Sequence, residues 1–407
     1  MTTRVLLTGQ NTQEAAALVT VARRLSETVP SLEYEFLTQD AVYGQGVRDY
    51  VEEKGVPVRE LDPPVEFDRI WPRAPLRTRL AFLLSVPATA AGLAAEYDAI
   101  VSGSESLATW MLLTEAEKRD IPTFRVCVSY LDSSSGRGSG GDWRLRVKGA
   151  AKRALSVLPR LSYLRHAGRA GAAPYERYYV MGSRSRVYLA DRGVDRDRIV
   201  VSGIPRFEPH FRRAGSWPTG ALPEDRPTLT YVVSAFRTHG RPLLHRRQSE
   251  QIRQLVAAAG GYREPQCRLR VKLHPRGEKA DFSWLADTPP WVEVLDGPLD
   301  VFDLFYSSHL LTSIVSTMSY EAAVVGCPVA LSVFPDLVER RPRAIHGDFP
   351  LAESPEELLD RLYGAYRDPR GEGGQYPGAD DVAGVMHPGT GEAAAAIAGD
   401  IAERAGL

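Results

Sequence analysis

Apolar residues along this chain fall into short runs, each followed by a stretch with helical periodicity. Arg4–Leu7, Leu32–Leu37, Val56–Leu61, Tyr97–Val101, Thr123–Val128, Arg177–Met181 and Ile199–Ser202 have the length and composition of strands. Glu14–Thr28 is amphipathic and follows Asn11 and Thr12, either of which suits an N-cap. Ala41–Glu53 reads as a helix weakened by Gly44 and Gly46. A further helix starts at Leu107, and Arg184–Arg192 reads as one closed by Gly193. Such strand–helix alternation predicts a parallel sheet with right-handed crossovers.

Periodicity lapses between Glu208 and Pro227, where Pro, Gly and charge dominate, so residues 208–227 read as a linker. A second alternation follows. Strands are expected at Leu229–Ser234, Leu269–Leu273, Val292–Leu295, Leu310–Ile314 and Pro328–Ser332. Helices are expected at Ser249–Ala259, Val301–Ser307, Tyr320–Gly326 and Glu356–Tyr366. Ala-rich Glu392–Ala405 predicts a terminal helix able to pack back on the first domain. The expected fold class is α/β: two Rossmann-like, doubly wound domains at residues 1–207 and 228–390, with 391–407 as the terminal helix. A chain of 407 residues is too long for one ordinary core, which agrees with two.

Composition narrows the function classes. Lys and Arg number 50 against 51 Asp and Glu, so no global field recruits nucleic acid, and no nucleic-acid partner is expected. The charge is uneven, however. Residues 137–170 carry Arg137, Arg144, Arg146, Lys148, Lys152, Arg153, Arg160, Arg165 and Arg169, with Asp142 as the single acid. That stretch suits an anionic surface or acceptor, and so peripheral association with the inner membrane face; a solvated helix face explains it as well. The apolar run Leu80–Ala94, broken by Ser85, Pro87 and Thr89, is too short to span a bilayer. It reads as a helix packed in a core or lying on a membrane face. Cys127, Cys267 and Cys327 form no C-x-x-C pair and fit a reducing compartment. The N-terminus enters a strand without a signal-peptide core, so a cytoplasmic location is expected. Asp195-Arg196-Asp197 spells an Asp-x-Asp motif, but in a charged turn; neither a metal nor a cofactor is expected.

Candidate chemistry concentrates at two strand ends. In Lys272-Leu273-His274-Pro275-Arg276 a basic strand stops at Pro275, which has no N–H for the ladder. Ligands of open α/β sheets bind beyond the carboxyl ends of strands, and a basic cluster with an imidazole there suits phosphate. After the Leu310–Ile314 strand, Ser316 and Thr317 precede a helix carrying Glu321. Hydroxyls and free N–H groups at a helix N-terminus attract anions, although helix capping uses the same geometry. Glu321 reads either as a ligand for vicinal ribose hydroxyls or as a solvated helix residue. The loop Ser234-Ala235-Phe236-Arg237-Thr238-His239-Gly240-Arg241 offers Ser234, Arg237, His239 and Arg241 to donor phosphates or to an acceptor, unless it is simply a basic surface loop. Gly9–Thr12 holds the corresponding place in the first domain but lacks the Rossmann glycine fingerprint. His387-Pro388 reads as a turn.

Three segments resemble the GT-B glycosyltransferases, whose architecture is two Rossmann-like domains facing a central cleft. Tyr178–Ser183, Leu189, Gly193-Val194 and Ile199–Arg206 resemble the last α/β unit of their N-terminal domain, above all in polymer-forming glycerophosphotransferases and capsule enzymes. Lys272–Pro275 resembles the His-Pro motif of bacterial sialyltransferases, polysialyltransferases and CDP-glycerol glycerophosphotransferases. Ser316-Thr317 resembles their Ser-Ser/Thr motif, and Glu321-Ala322 with Gly326 and Pro328 their donor-binding helix. The likeness covers residues 178–331 and, by architecture only, the first 170. It implies that His274 binds donor phosphate and stabilises the departing nucleotide. It also implies that Ser316 and Thr317 hold a phosphate or carboxylate, and that the donor carries CMP or CDP. The family's acidic pair followed by Gly has no counterpart; Glu105, His239 and Asp132, in that order, are the candidates for the base.

The expectation is therefore a metal-independent transferase. It would move a glycosyl or alditol-phosphate group from a nucleotide-activated donor to a hydroxyl acceptor of a surface polysaccharide, glycoconjugate or natural product. One rival is a UDP-N-acetylglucosamine 2-epimerase-like enzyme of the same fold, which calls for a Ser-Gly-Gly turn where this chain has Ser316-Thr317-Met318. The other is a non-catalytic scaffold that has kept the GT-B fold.

Overall fold

Among the described residues the first sheet holds β1 (Thr3–Thr8), β2 (Leu32–Thr38), β3 (Val58–Glu60), β4 (Ala99–Ser102), β5 (Thr123–Val126), β6 (Arg177–Val180) and β7 (Ile199–Val201). Every neighbouring pair is parallel, in the order β3-β2-β1-β4-β5-β6-β7. Strands covered on both faces must be apolar in both directions. Leu6, Ile100, Tyr178 and Val180 accordingly fill one core, while Val5, Leu7, Val101, Phe124 and Tyr179 fill another. The computed structural model describes residues 2–407 apart from 44–45, 63–64, 66–73, 129–153, 155, 158–162, 165–170, 172, 219–224, 238–240, 275–278, 298, 335–347, 369–375 and 388–390.

The sheet is flanked by helices whose starts follow from local chemistry. Asn11 caps Thr12–Thr28 and accepts from the Gln13 and Glu14 amides. The expected Ala41–Glu53 helix is instead two, Asp40–Tyr43 and Val47–Glu53; Gly46, at φ 64°, separates them, because a left-handed residue cannot continue a helix. The long apolar run lies in one helix, Leu76–Ala94, with Pro87 inside it. The C-terminal helix Ala393–Ala405 adds Ile397, Ala398 and Ile401 to the core that Val5 and Leu7 occupy. Asp400 accepts from the Tyr179 hydroxyl at 2.8 Å, and the Ala394 N–H donates to Glu208 at 2.7 Å. One compact unit thus comprises Met1–Glu208 with Gly384–Leu407, and Pro209–Ala383 forms the other.

The second unit has its own sheet: β8 (Thr228–Val232), β9 (Arg268–Lys272), β10 (Val292–Leu295), β11 (Leu310–Ser313), β12 (Val329–Ser332) and β13 (Leu351–Ala352). The order is β10-β9-β8-β11-β12-β13, again all parallel. Leu229, Tyr231, Leu269, Val271 and Leu310 pack with Ile252, Leu255, Leu358 and Leu362 from the covering helices. β13, two residues long, has too little pattern to be read from sequence. The helix expected from Ser249 starts at Pro242, where a missing N–H costs nothing.

The start of the expected linker proves to be packed structure. Trp217 is buried, its indole N–H donating to the Phe305 carbonyl at 3.1 Å and its backbone N–H to Val325 at 2.8 Å. One aromatic residue with a buried donor anchors a stretch that polar composition marks as a connection.

Candidate functional site

In both sheets strand order reverses direction once, between β1 and β4 and between β8 and β11. The crevice outside such a reversal is where open α/β sheets bind ligands. In the second unit the loop after β8 and the turn after β11 meet there. The Ser234 hydroxyl donates to the Val315 carbonyl at 2.6 Å. Gln248, buried on the Pro242–Ala259 helix, clamps the same residue: its Oε1 accepts from Ser234 N–H at 2.8 Å and its amide donates to Ser234 O at 3.0 Å. Ser234 is therefore a fixed strut between two loops.

His274 follows β9 by two residues and is half-buried. β9 adjoins β8, which adjoins β11, so His274 and the turn before Thr317 stand at the same edge of one sheet. Two strand spacings separate β9 from β11, roughly 10 Å. Lys272 points its ammonium into the loops beyond the sheet. It donates to the Leu273 and Gly297 carbonyls, each at 3.0 Å, and burial pulls its pKa below the ordinary lysine range. Lys272 thus ties the His274 turn to the loop after β10, and its charge reaches that edge from a fixed position.

Ser316 caps the helix Thr317–Val325, its hydroxyl accepting from Met318 N–H at 3.2 Å. Ser319 N–H closes the same turn onto Ser316 O at 3.2 Å, and the positive end of the helix dipole lies at this strand end, where it attracts anions. Glu321 is otherwise engaged. It is 4% exposed, with one carboxylate oxygen 3.2 Å from Nε2 of the buried His210, whose ring lies against Phe302. The carboxylate expected to meet a ribose is turned into the second unit's interior.

Arg237 is exposed and pairs with Asp281 at 2.9 Å; Asp281 also meets His245 Nε2 at 3.0 Å. Arg241 is exposed at the start of the Pro242–Ala259 helix, and its N–H closes the loop onto Phe236 O at 2.8 Å. His239, Pro275, Arg276 and Asp132 lie outside the described residues, as do all nine basic residues named between 137 and 170. Asp195 accepts from the Asp197 N–H, so that Asp-x-Asp is a capped turn.

At the first unit's reversal the sequence pointed to Glu105. Its carboxylate lies 2.6 Å from the guanidinium of Arg125, and each side chain is 13% exposed. That ion pair occupies it. Sequence reading missed Glu14. This carboxyl sits between the turn after β1 and the turn after β4, and accepts from the Gln10 N–H at 2.6 Å. Gly9 and Gly103 leave it room: a Cβ added at Gly103 would lie 2.7 Å from the Glu14 Cβ. Burial pushes the Glu14 pKa above the usual carboxylate range. The available signal was Asn11-x-x-Glu14, the capping-box spacing, which reads as helix grammar and hides a carboxyl at the strand end. A buried network beside it joins Gln39 to Thr8 and Thr109 at 3.0 Å each and to Ser106 at 2.7 Å.

No protein-family model matches the chain, and no curated protein matches it in sequence. Solved structures do match in three dimensions. A UDP-GlcNAc 2-epimerase from Neisseria meningitidis, bound to UDP-GlcNAc, superposes with a TM-score of 0.60 at 13% identity, over 98% of this chain and 100% of that one. The fold is GT-B. The glycotransferase of kitacinnamycin gives a TM-score of 0.58 at 13% identity, covering 98% of each chain. The wall teichoic acid polymerase TagF, soaked with CDPG, gives 0.54 at 13% identity over 100% of this chain and 89% of its own. The GT-B architecture expected from sequence is thereby established at the level of two Rossmann-like α/β domains.

Proposed function

We propose that this GT-B protein is a transferase that moves a glycosyl or alditol-phosphate group from a nucleotide-activated donor, CMP- or CDP-linked, to a hydroxyl acceptor. One observation carries the reading: His274, Ser234 and the Ser316–Thr317 helix start belong to adjacent strands and share one carboxyl edge at a topological reversal. Negative charge accumulates on the donor phosphate as its bond to the transferred group breaks. An imidazole donor, the fixed Lys272 ammonium and the N-terminal dipole of the Thr317–Val325 helix are the groups that stabilise it. Such groups accelerate transfer only as far as they bind the departing phosphate better than the intact donor.

The acceptor hydroxyl must lose a proton. Glu14 replaces Glu105 as the leading candidate for the base, because burial raises the pKa of its carboxyl, whereas Glu105 is held in an ion pair with Arg125. The cytidine preference rests on the likeness of Lys272–Pro275 and Ser316-Thr317 to the His-Pro and Ser-Ser/Thr motifs.

A second reading, a UDP-GlcNAc 2-epimerase-like enzyme, is favoured by the near-complete superposition on an epimerase. Thermal unfolding of the full chain with CMP, CDP, UDP and GDP separates the two. A rise in Tm with CMP or CDP alone is expected. A response to UDP alone would hand the site to the epimerase reading, and silence with all four would leave a scaffold.

A further inference from the structure

The helix Leu76–Ala94 is two-faced. Phe82, Val86, Ala90 and Leu93 are buried in the first unit's core. Leu76, Leu80 and Leu84, four residues apart and therefore on one stripe, are 66%, 46% and 53% exposed. Three leucines in line on the surface of an enzyme are costly to keep in water and mark a contact. Along the sequence the charge flanking them has one sign. Between Asp68 and Glu96 the sequence holds Arg69, Arg73, Arg77 and Arg79 and no acid. Arg77 is exposed beside the stripe.

Tyr163 is tied to the same helix. Pro87 has no N–H, so the carbonyl four residues earlier, Leu83 O, lacks its helical donor. The Tyr163 hydroxyl supplies one at 3.1 Å, and Tyr163 and Leu164 are buried in the core beneath. In sequence Tyr163 stands between Arg160 and Arg165, within the stretch of nine basic residues and one acid. An apolar stripe with arginines on its own helix matches an anionic lipid surface: leucines enter the acyl boundary and arginines meet headgroups. A second copy of the chain would set arginine against arginine. No helix among the described residues is long and apolar enough to cross a membrane, so the contact is one of lying on the surface.

We propose that the Leu76–Leu80–Leu84 face docks on an anionic bilayer. The inference stands apart from the donor reading, since it uses none of those residues. The test is co-sedimentation of the full chain with vesicles of phosphatidylglycerol and phosphatidylcholine, against phosphatidylcholine alone. Binding is expected to the anionic vesicles, at least about tenfold stronger than to the neutral ones, and to weaken at 0.5 M salt, a concentration chosen to bring the screening length to roughly 4 Å. Leu76→Gln/Leu80→Gln/Leu84→Gln should lower the partition coefficient by about tenfold or more, and Arg77→Gln by a smaller factor. Because the leucines are exposed, Tm should hold, which shows that the variant folds. Failure of the wild type to bind either vesicle would overturn the proposal, as would a triple variant that binds normally. So would light scattering that shows a dimer dissolved by the leucine changes.

Discussion

The Ser234 hydroxyl reaches across 2.6 Å to the carbonyl of Val315, joining the loop after β8 to the turn after β11 at the point where strand order reverses. Ser234→Ala removes one hydrogen bond and leaves a carbonyl unpaired, a cost of about 1–2 kcal/mol. The expected result is a lower Tm and, under the donor reading, a smaller rise in Tm with CDP. A variant of lower stability whose response to CDP is undiminished would mean that the strut holds the loops but does not shape a nucleotide site.

His274 is expected to act on the leaving group. His274→Ala should lower turnover by on the order of 10²-fold. Folding stability should change by less than about 1 kcal/mol, because the residue is only half-buried at a strand end. Near-normal turnover would remove the imidazole from the mechanism.

Glu105 separates structure from chemistry. If its task is to neutralise the buried Arg125, Glu105→Gln should cost about 3 kcal/mol, and adding Arg125→Met should recover much of that loss. Urea unfolding of the two variants decides the matter. A stable, folded Glu105→Gln with no activity would return the base role to Glu105.

His309 gives the second unit an acid sensitivity. Its Nδ1 accepts from the Thr228 N–H at 3.1 Å, which requires the neutral ring. Burial, with help from the Arg270 charge, lowers its pKa from 6.5 to about 4. The unfolded chain therefore takes up a proton near pH 6.5 that the folded chain refuses until about pH 4. Stability falls as pH drops through that window, by roughly 3 kcal/mol at most from this group, and the loss is absent above it. His309→Gln keeps an acceptor but does not titrate there, so its unfolding free energy should fall less between pH 7 and 4. Parallel slopes for the two proteins would contradict this assignment.

Much of the architecture was legible in the chain itself, because both sheets are parallel and covered on two faces. Central strands such as β4, β11 and β12 are then short runs of buried residues, although the edge strands β3 and β10 are not, and the helices after β1 and β11 carry local caps, Asn11 and Ser316. His274 and Ser316 could be singled out for the same reason: strand-end position and helix-start chemistry are short-range properties. Long-range packing decided the rest. Gly46 divides a helix because of one backbone angle. Trp217 draws polar chain into the second unit because its indole finds a carbonyl at Phe305. Glu105 lost its availability to Arg125, twenty residues on in the neighbouring strand. Glu14 gained interest only when two glycine turns, far apart in sequence, closed around it. A carboxylate's chemistry depends on what surrounds it in space, and that neighbourhood is not written in its sequence neighbours.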